Sequence, residues 1–593
     1  MATELPFPRT RHLALAVAAA AGIDPDVAAR AEAAQAVVVP LAAVAPPPAP
    51  HHAQASTPEG PRPQPGTPPA LAAPGLPPES LLPPRMVSLD LSRPRDAEEA
   101  CLDEDGDRSG GGEPVVCPSS LSGRNHAAEL SVQAAAAADG ILLRGLSRWY
   151  ELGPRAAGYC SSCEEALIEA LRETYGDHVQ RFPALSAKGG RDLPPRERPF
   201  AGLRELLRLR EPLEAAKRSI LRARDEARRS RGVELVVMAE TGALHALSLA
   251  LCKHVDGLAF PLPSVDPLEA LFPLLAARAA LGERTAVGIA PAHATPAQVV
   301  QLSALAAACD ADLMLPEGAS APVRAALAGH RRYQGLVRER FRASVPLSDL
   351  TLLVSATGDH WSAGAHLRAS ASACAALAAA HLQLAVRIDQ VPPGPHGQRI
   401  LVVAGCEAMP EAQAAAVRRH VAGGGDLLLV GPCAVVDAEG RRGEPLFPNL
   451  KHGLDRQGEG RIWALAPQGP LPEPSQEGTL LVRAARELLG RGRQSLSLSG
   501  RGHLLARAYL DPERKLDVHL VNLDLREGGF GPAQGLTLHI AGQAAGGGRV
   551  GYWFAPERAG GRDGERISLN PSGFSVSTVL PAIGASALLA VPR

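Results

Sequence analysis

The chain lacks a surplus of either charge: 61 Lys and Arg stand against 62 Asp and Glu over 593 residues. There is no global field to gather nucleic acid or an anionic membrane, so neither is an expected partner. Long apolar runs are missing too, and nothing approaches the roughly 18 residues needed to span a bilayer. Residues 13–23 follow Arg9 and Arg11 and have the length of a short secretory h-region. The competing reading makes them a buried strand, and a cytoplasmic protein is then expected, with secretion as the alternative. The nine cysteines are odd in number and most lie among apolar residues, as Cys252, Cys309, Cys374 and Cys406 do, which argues against a disulfide framework. Only Cys160 and Cys163 form a C-x-x-C pair, and a tetrahedral zinc site needs two further ligands that no second pair supplies. No metal is expected there. No G-x-G-x-x-G or P-loop opens a helix, and no cofactor is expected either. Aromatic side chains make up only 3% of the chain, a scarcity that limits ligand platforms.

What the chain does have is length and a strand-helix rhythm. Its 593 residues exceed what one core serves and suggest roughly three or four domains. Apolar runs at 13–18 and 36–44 flank a helical stretch after Asp24, giving β-α-β order. Fifteen prolines between Pro46 and Pro84 then exclude regular structure, so 45–85 reads as a polyproline-rich insertion. Beyond it, strands are predicted at 86–91, 140–143, 233–239, 257–261, 285–290 and 312–316, with helices at 125–138, 203–229 and 296–308. Eight strands alternating with helices over residues 1–345 fit a (β/α)8 barrel better than an open sheet.

A second unit at 346–458 carries strands at 350–355, 382–388, 400–404 and 426–430 and a helix opened by Met409-Pro410-Glu411 and closed by Gly423-Gly424-Gly425, the pattern of a small doubly wound, flavodoxin-like α/β domain. From 459 to 593 helices fade apart from 481–489, and alternation at 518–523, 536–540, 550–554 and 586–591 predicts a C-terminal β-sandwich.

Three segments carry a resemblance. Cys117-Pro118-Ser119-Ser120, then Asp139-Gly140-Ile141, then Gly158-Tyr159-Cys160-Ser161-Ser162-Cys163 is similar to a strand-four region in which D-G-I runs into a catalytic Asp and then C-Y-C-x-x-C. Arg11-His12-Leu13 resembles an R-x-x-H-L-D-F-H opening, and 400–431 resembles the run of a class-I-amidotransferase-like domain. Together they resemble a family of glycosyl hydrolases related to α-L-fucosidases and to β-galactosidases with an amidotransferase-like domain. The resemblance implies carbohydrate as the ligand, hydrolysis of O-glycosidic bonds as the reaction, and homo-oligomers formed through the amidotransferase-like domain.

The departures bear on the chemistry, because a retaining glycosidase needs one carboxylate to attack and a second to protonate the leaving oxygen. Where the resemblance places the nucleophilic Asp, three residues past Ile141, this chain has Arg144, and a guanidinium is no nucleophile. The expected ends of barrel strands carry Asp90, Arg144, Glu240, Asp266, His293 and Glu317. Glu240 and Glu317 each follow an apolar strand and are the candidate catalytic pair, the alternative being loop acids or salt-bridge partners of Arg144. Asp90, Arg144, Trp149, Tyr159, His293, His360 and Trp361 are the candidate sugar contacts, the few rings serving equally for loop packing. Asp359-His360-Trp361 follows the first strand of the second unit and either completes the pocket or makes an interdomain hydrogen bond. A carbohydrate-binding protein without catalysis is the competing function. Cys406 and Cys433 lie near strand ends without a G-x-C-x-G elbow, so glutaminase chemistry is not expected.

Overall fold

The computed structural model describes residues 85–92, 94, 100, 115–152, 160–175, 201–338, 345–391, 400–436, 442–466, 474–490 and most of 493–592, together with two N-terminal strands. The proline-rich insertion up to Pro84, and Tyr159, lie outside the described residues.

Eight parallel strands pair in chain order: β1 (Leu15–Val17), β2 (Ala36–Pro40), β3 (Arg85–Asp90), β4 (Gly140–Arg144), β5 (Val236–Glu240), β6 (Gly257–Pro261), β7 (Thr285–Ile289) and β8 (Asp312–Met314). Helix α1 (Leu121–Ala137) follows β3, while α2 (Arg148–Glu151), α3 (Ser161–Tyr175) and α4 (Ala201–Arg231) follow β4. Helices α5 (Ala246–Leu251), α6 (Pro267–Leu281), α7 (Pro296–Ala308) and α8 (Ala321–Arg338) follow β5 to β8 in turn. The result is a (β/α)8 barrel. Local signals set the helix starts: Thr295 accepts from Gln298 N while Gln298 accepts from Thr295 N, a capping box with Pro296 in the first turn. Asp266 caps α6 by accepting from Leu268 N at 2.8 Å. That role takes it off the set of site candidates.

Strand alternation sorts the barrel. Ile141 and Leu143 face outward to Ile220 and Ala223 of α4, whereas Leu142 joins Met86, Met238, Ala259, Val287 and Met314 in a separate inner cluster. Three of the chain's five methionines therefore fill the lumen, where an unbranched thioether adapts to an irregular space. Arg144 continues the inner row above Leu142, Glu240 continues it above Met238, and Asp90 continues it above Met86. In register Asp90 lies opposite Arg144, and Leu143 lies opposite Ala239, so all three polar residues stand at one height on the same rim.

The second unit has strand order Leu384–Ile388, Leu350–Val354, Ile400–Ala404, Asp426–Val430, Gly460–Leu465, all parallel, then the antiparallel Gly453–Gln457. This 2-1-3-4-5 order is the flavodoxin-like arrangement. Its sheet runs on to Leu465, past the boundary expected at 458. The C-terminal region is a β-sandwich of a four-stranded and a six-stranded sheet around a shared core that includes Val518, Leu538, Trp553 and Leu589.

Candidate functional site

At the rim, Arg144 is held between two carboxylates. Its Nε and Nη2 both lie 3.1 Å from Glu240 Oε1, and its Nη1 donates to Glu317 Oε1 at 3.1 Å. Because both acids hang on one planar guanidinium, their contacting oxygens lie within about 9 Å of each other. Two-carboxylate glycosidases use separations of roughly 5 to 10 Å. The two acids differ in surroundings, since the Glu240 side chain is 18% exposed and that of Glu317 is 62% exposed. Burial pushes the Glu240 carboxyl above the ordinary carboxylate range, and the Arg144 guanidinium only partly opposes it. One acid therefore leans toward the protonated form in the same cleft as an exposed partner.

Asp90 completes the rim from β3. Its Oδ1 accepts from Ser92 N at 2.9 Å and from Ser92 Oγ at 2.6 Å. Gly145 lets the chain leave β4 beside this turn: its φ is 77°, and a Cβ there would lie 2.6 Å from Ser92 Cβ and 2.8 Å from Asp90 Oδ1. Only glycine meets both demands.

A second polar cluster lies over the β4 and β5 loops, where the second unit docks. Tyr150 OH is 2.9 Å from His360 Nδ1, so of the two expectations for His360 the structure shows the interdomain hydrogen bond. Trp361 lies beside His360, with ring centroids 5.3 Å apart. Glu151 accepts from Gly242 N at 2.8 Å and from Ser147 Oγ at 2.5 Å, and its Oε1 is 3.2 Å from His245 Nε2. These bonds outweigh the effect of burial and hold the Glu151 carboxyl below its usual range. Asp359, fully covered at this junction, accepts from Leu367 N at 2.9 Å, and burial pushes its carboxyl up to about 6. Tyr150 is one of the ring candidates of the loop after β4, whereas His245 and Glu151 of this cluster are not among the residues that sequence reasoning selects. The one local signal is His245 with Ser248 three residues on, which forms the capping box of α5.

No family model and no curated protein matches the chain. Solved structures do. A GH42 β-galactosidase from G. stearothermophilus aligns with a TM-score of 0.61 at 12% identity, over 86% of this chain and 88% of that one. The β-galactosidase of Bacillus circulans sp. alkalophilus gives 0.60 at 12% identity over 86% and 89%. That of the haloarchaeon Halorubrum lacusprofundi gives 0.56 at 13% identity over 86% and 89%. The chain has the fold of the GH42 β-galactosidases.

On this GH42 fold the remaining candidates separate. His293 is exposed in the turn after β7. Trp149 is buried in a cluster with Val115, Cys117, Cys160 and Cys163, which makes it a packing residue in place of the expected sugar platform. The same cluster changes the reading of the C-x-x-C pair. Cys117 Sγ lies 3.2 Å from Cys160 Sγ and 3.3 Å from Cys163 Sγ, and the pair itself is 3.4 Å apart. The expected absence of metal rested on a missing second pair, and the structure supplies a third thiol from a distant segment. In the second unit, contact with Cys433 and burial both drive the Cys406 thiol well above its usual range, away from the thiolate a nucleophile needs. Among the described residues no helix is long and apolar enough to cross a membrane.

Proposed function

We propose that the barrel rim binds a carbohydrate and that the protein is glycoside-hydrolase-like in function, acting on α-L-fucosidase- or β-galactosidase-type O-glycosidic bonds. The observation that carries this reading is the convergence of Asp90, Arg144, Glu240 and Glu317 at the carboxyl ends of the strands, where barrels of this kind do their chemistry. In hydrolysis Glu240 is the proton donor to the leaving oxygen, since burial favours its protonated form. Glu317, more exposed and paired with Arg144, is the base or nucleophile. Arg144 orients both acids and recognises sugar hydroxyls through its donors. On the same reading the protein is cytoplasmic and assembles with copies of itself through the amidotransferase-like domain.

The specific observation favouring a purely carbohydrate-binding role is that Arg144 occupies the space between the two acids. A panel of aryl glycosides, α-L-fucoside and β-galactoside included, decides between the two with wild type, Glu240→Gln and Glu317→Gln. Turnover by wild type that drops about 10²- to 10⁴-fold in each variant supports the catalytic pair. Absence of turnover, with sugar binding seen by calorimetry and weakened in Arg144→Ala, supports binding alone. Neither turnover nor binding by folded protein sinks both.

A further inference from the structure

Arg144 and Glu240, which touch at the rim, are the last residues of β4 and β5, so whatever ties the following loops together sets how they meet. Glu151 closes the turn after β4, where Arg148 N donates to Gly145 O at 3.2 Å and Glu151 N donates to Ser147 O at 2.9 Å. Its Oε1 accepts from Gly242 N, two residues past Glu240, and the same nitrogen donates to Ser147 Oγ at 3.3 Å. A Cβ at position 242 would lie 2.5 Å from Glu151 Oε2, so glycine is what lets the carboxylate lie on the neighbouring loop. We propose that Glu151 is the positioning residue of the rim, holding Glu240 against Arg144 by tying the loop after β5 to the turn after β4, and that docking of the second unit through Asp359 and His360 keeps this clamp in place. The assignment rests on the reading of Glu240 as the rim acid, and Glu151 acts only through the loop it holds.

The clamp is charged and its donors are aimed. His245 Nδ1 accepts from Ser248 N at 3.1 Å, so the ring proton sits on Nε2 and is donated to Glu151 Oε1. Gly242 N, Ser147 Oγ and His245 Nε2 thus converge on one carboxylate oxygen. Hydrogen bonds to an ionised acceptor are roughly twice as strong as neutral ones, which makes this the firmest tie between the two loops. Ser248, His245 and Glu151 also form the hydroxyl-imidazole-carboxylate line of a nucleophilic triad, with Ser248 Oγ 3.0 Å from His245 Nδ1. That hydroxyl is fully buried and donates to Ala243 O at 2.9 Å, so the line supports the loop and attacks nothing.

The second unit is fastened to the same residues. Asp359 accepts from Leu367 N in the helix Ala365–Ala379 and from Ala246 N, the first residue of α5, so one carboxylate satisfies the opening turns of two helices from two parts of the molecule. Ala246 adjoins His245, and this bond therefore holds the imidazole that faces Glu151. From the β4 side Tyr150 directly precedes Glu151 in α2, with its OH 2.9 Å from His360 Nδ1 and its ring centroid 4.8 Å from that of His245. Arg208 of α4 backs this residue, its Nη2 donating to Tyr150 O at 2.6 Å. Asp359 and His360 are 1% and 6% exposed, so the joint is closed to water and its polar groups depend on one another for their partners. One line of contacts runs from the second unit through His245 and Tyr150 to Glu151, Gly242 and the rim acid.

The test reads Glu240 in the full-length protein by carboxyl-carbon NMR titration, with its signal assigned through Glu240→Gln. Arg144, Glu317 and Asp90 face this carboxyl and stay unchanged throughout. Glu151→Ala is expected to bring the Glu240 midpoint down toward the ordinary carboxylate range by about half a unit or more, because the freed loop lets water reach it. Glu151→Gln keeps an acceptor for Gly242 N and is expected to recover most of that shift, while His360→Phe gives a smaller shift in the same direction. A midpoint unmoved by Glu151→Ala, or moved as far by Leu538→Ala in the sandwich core, overturns the positioning role. A midpoint unmoved by His360→Phe overturns the part of the second unit. Should Glu151→Ala fail to fold, Gly242→Ala takes its place, since the added Cβ must displace the Glu151 carboxylate. With aryl glycosides as substrates, Glu151→Ala is expected to lower kcat about 10- to 100-fold at little change in KM, and an unchanged kcat overturns the clamp. Absence of turnover in the wild type removes the hydrolytic reading alone, and the titration still judges the clamp.

Discussion

Arg144 carries the electrostatics of the rim. Its pair with Glu317 is mostly solvent-exposed and worth no more than about 1 kcal/mol, whereas the pair with Glu240 opposes a real burial penalty. Arg144→Gln is therefore expected to raise the Glu240 carboxyl further. A carboxyl whose folded value lies above its unfolded one costs stability as pH rises through that range, so the variant should lose stability with rising pH more steeply than wild type. Carboxyl-carbon NMR titration of the two proteins checks the direction, and an unchanged Glu240 titration would show that the ion pair is not formed in solution. Gly145 offers a second residue-scale prediction. A side chain at φ 77° that also meets Ser92 and Asp90 combines backbone strain with a clash, and Gly145→Ala is expected to cost about 1–3 kcal/mol in denaturant unfolding. A cost below a few tenths would mean the turn relaxes freely.

At the scale of elements, the barrel strands and several helices are legible because burial on both faces writes continuous apolar runs. The strand predicted at 257–261 and the helix predicted at 296–308 match β6 and α7 residue for residue. Short elements are not legible: α2 has four residues and α5 six, too few for a helical period to show. The first carries Tyr150 and the second begins just after His245, so the barrel's half of the docking cluster is far less legible than Asp359-His360-Trp361 on the second unit. Burial of Asp359 at this junction is expected to make stability there pH-dependent. Its folded value of about 6 stands above the ordinary 3.8, so the folded protein holds a proton that the unfolded chain releases earlier. The contribution of Asp359 to stability is expected to be greatest below about pH 4, to fall as pH rises toward 6 and to level off above, a change on the order of 2–3 kcal/mol. Asp359→Asn should flatten this slope in chemical denaturation measured across the same pH range. A slope that persists in the variant would assign it to another group.

Over the whole molecule, the three parts share buried hydrogen bonds and not merely contacts. Tyr509 OH donates to Ala308 O at 2.7 Å, Gln301 donates to Asn522 O at 2.6 Å, and Gln383 donates to Ala506 O at 3.0 Å. One apolar cluster runs from Leu302 of the barrel through Leu377 of the second unit to Val521 of the sandwich. Calorimetry is therefore expected to show one cooperative transition, and resolved peaks for separate parts would contradict this continuity. Such joints are invisible in the sequence, since each bond spans more than a hundred residues. The thiol cluster is hidden for the same reason, because Cys117 joins its partners only through tertiary approach. The rim acids are visible because each directly follows an apolar strand, while their common partner Arg144 stands out only by displacing an expected Asp.

The alternation that sends Leu142 to the lumen and Leu143 to the helices also separates chemistry from folding. Position 144 contributes to neither apolar cluster. A carboxylate can be written there without rebuilding the barrel beneath it, so this rim is a natural starting point for directed evolution of a new hydrolase.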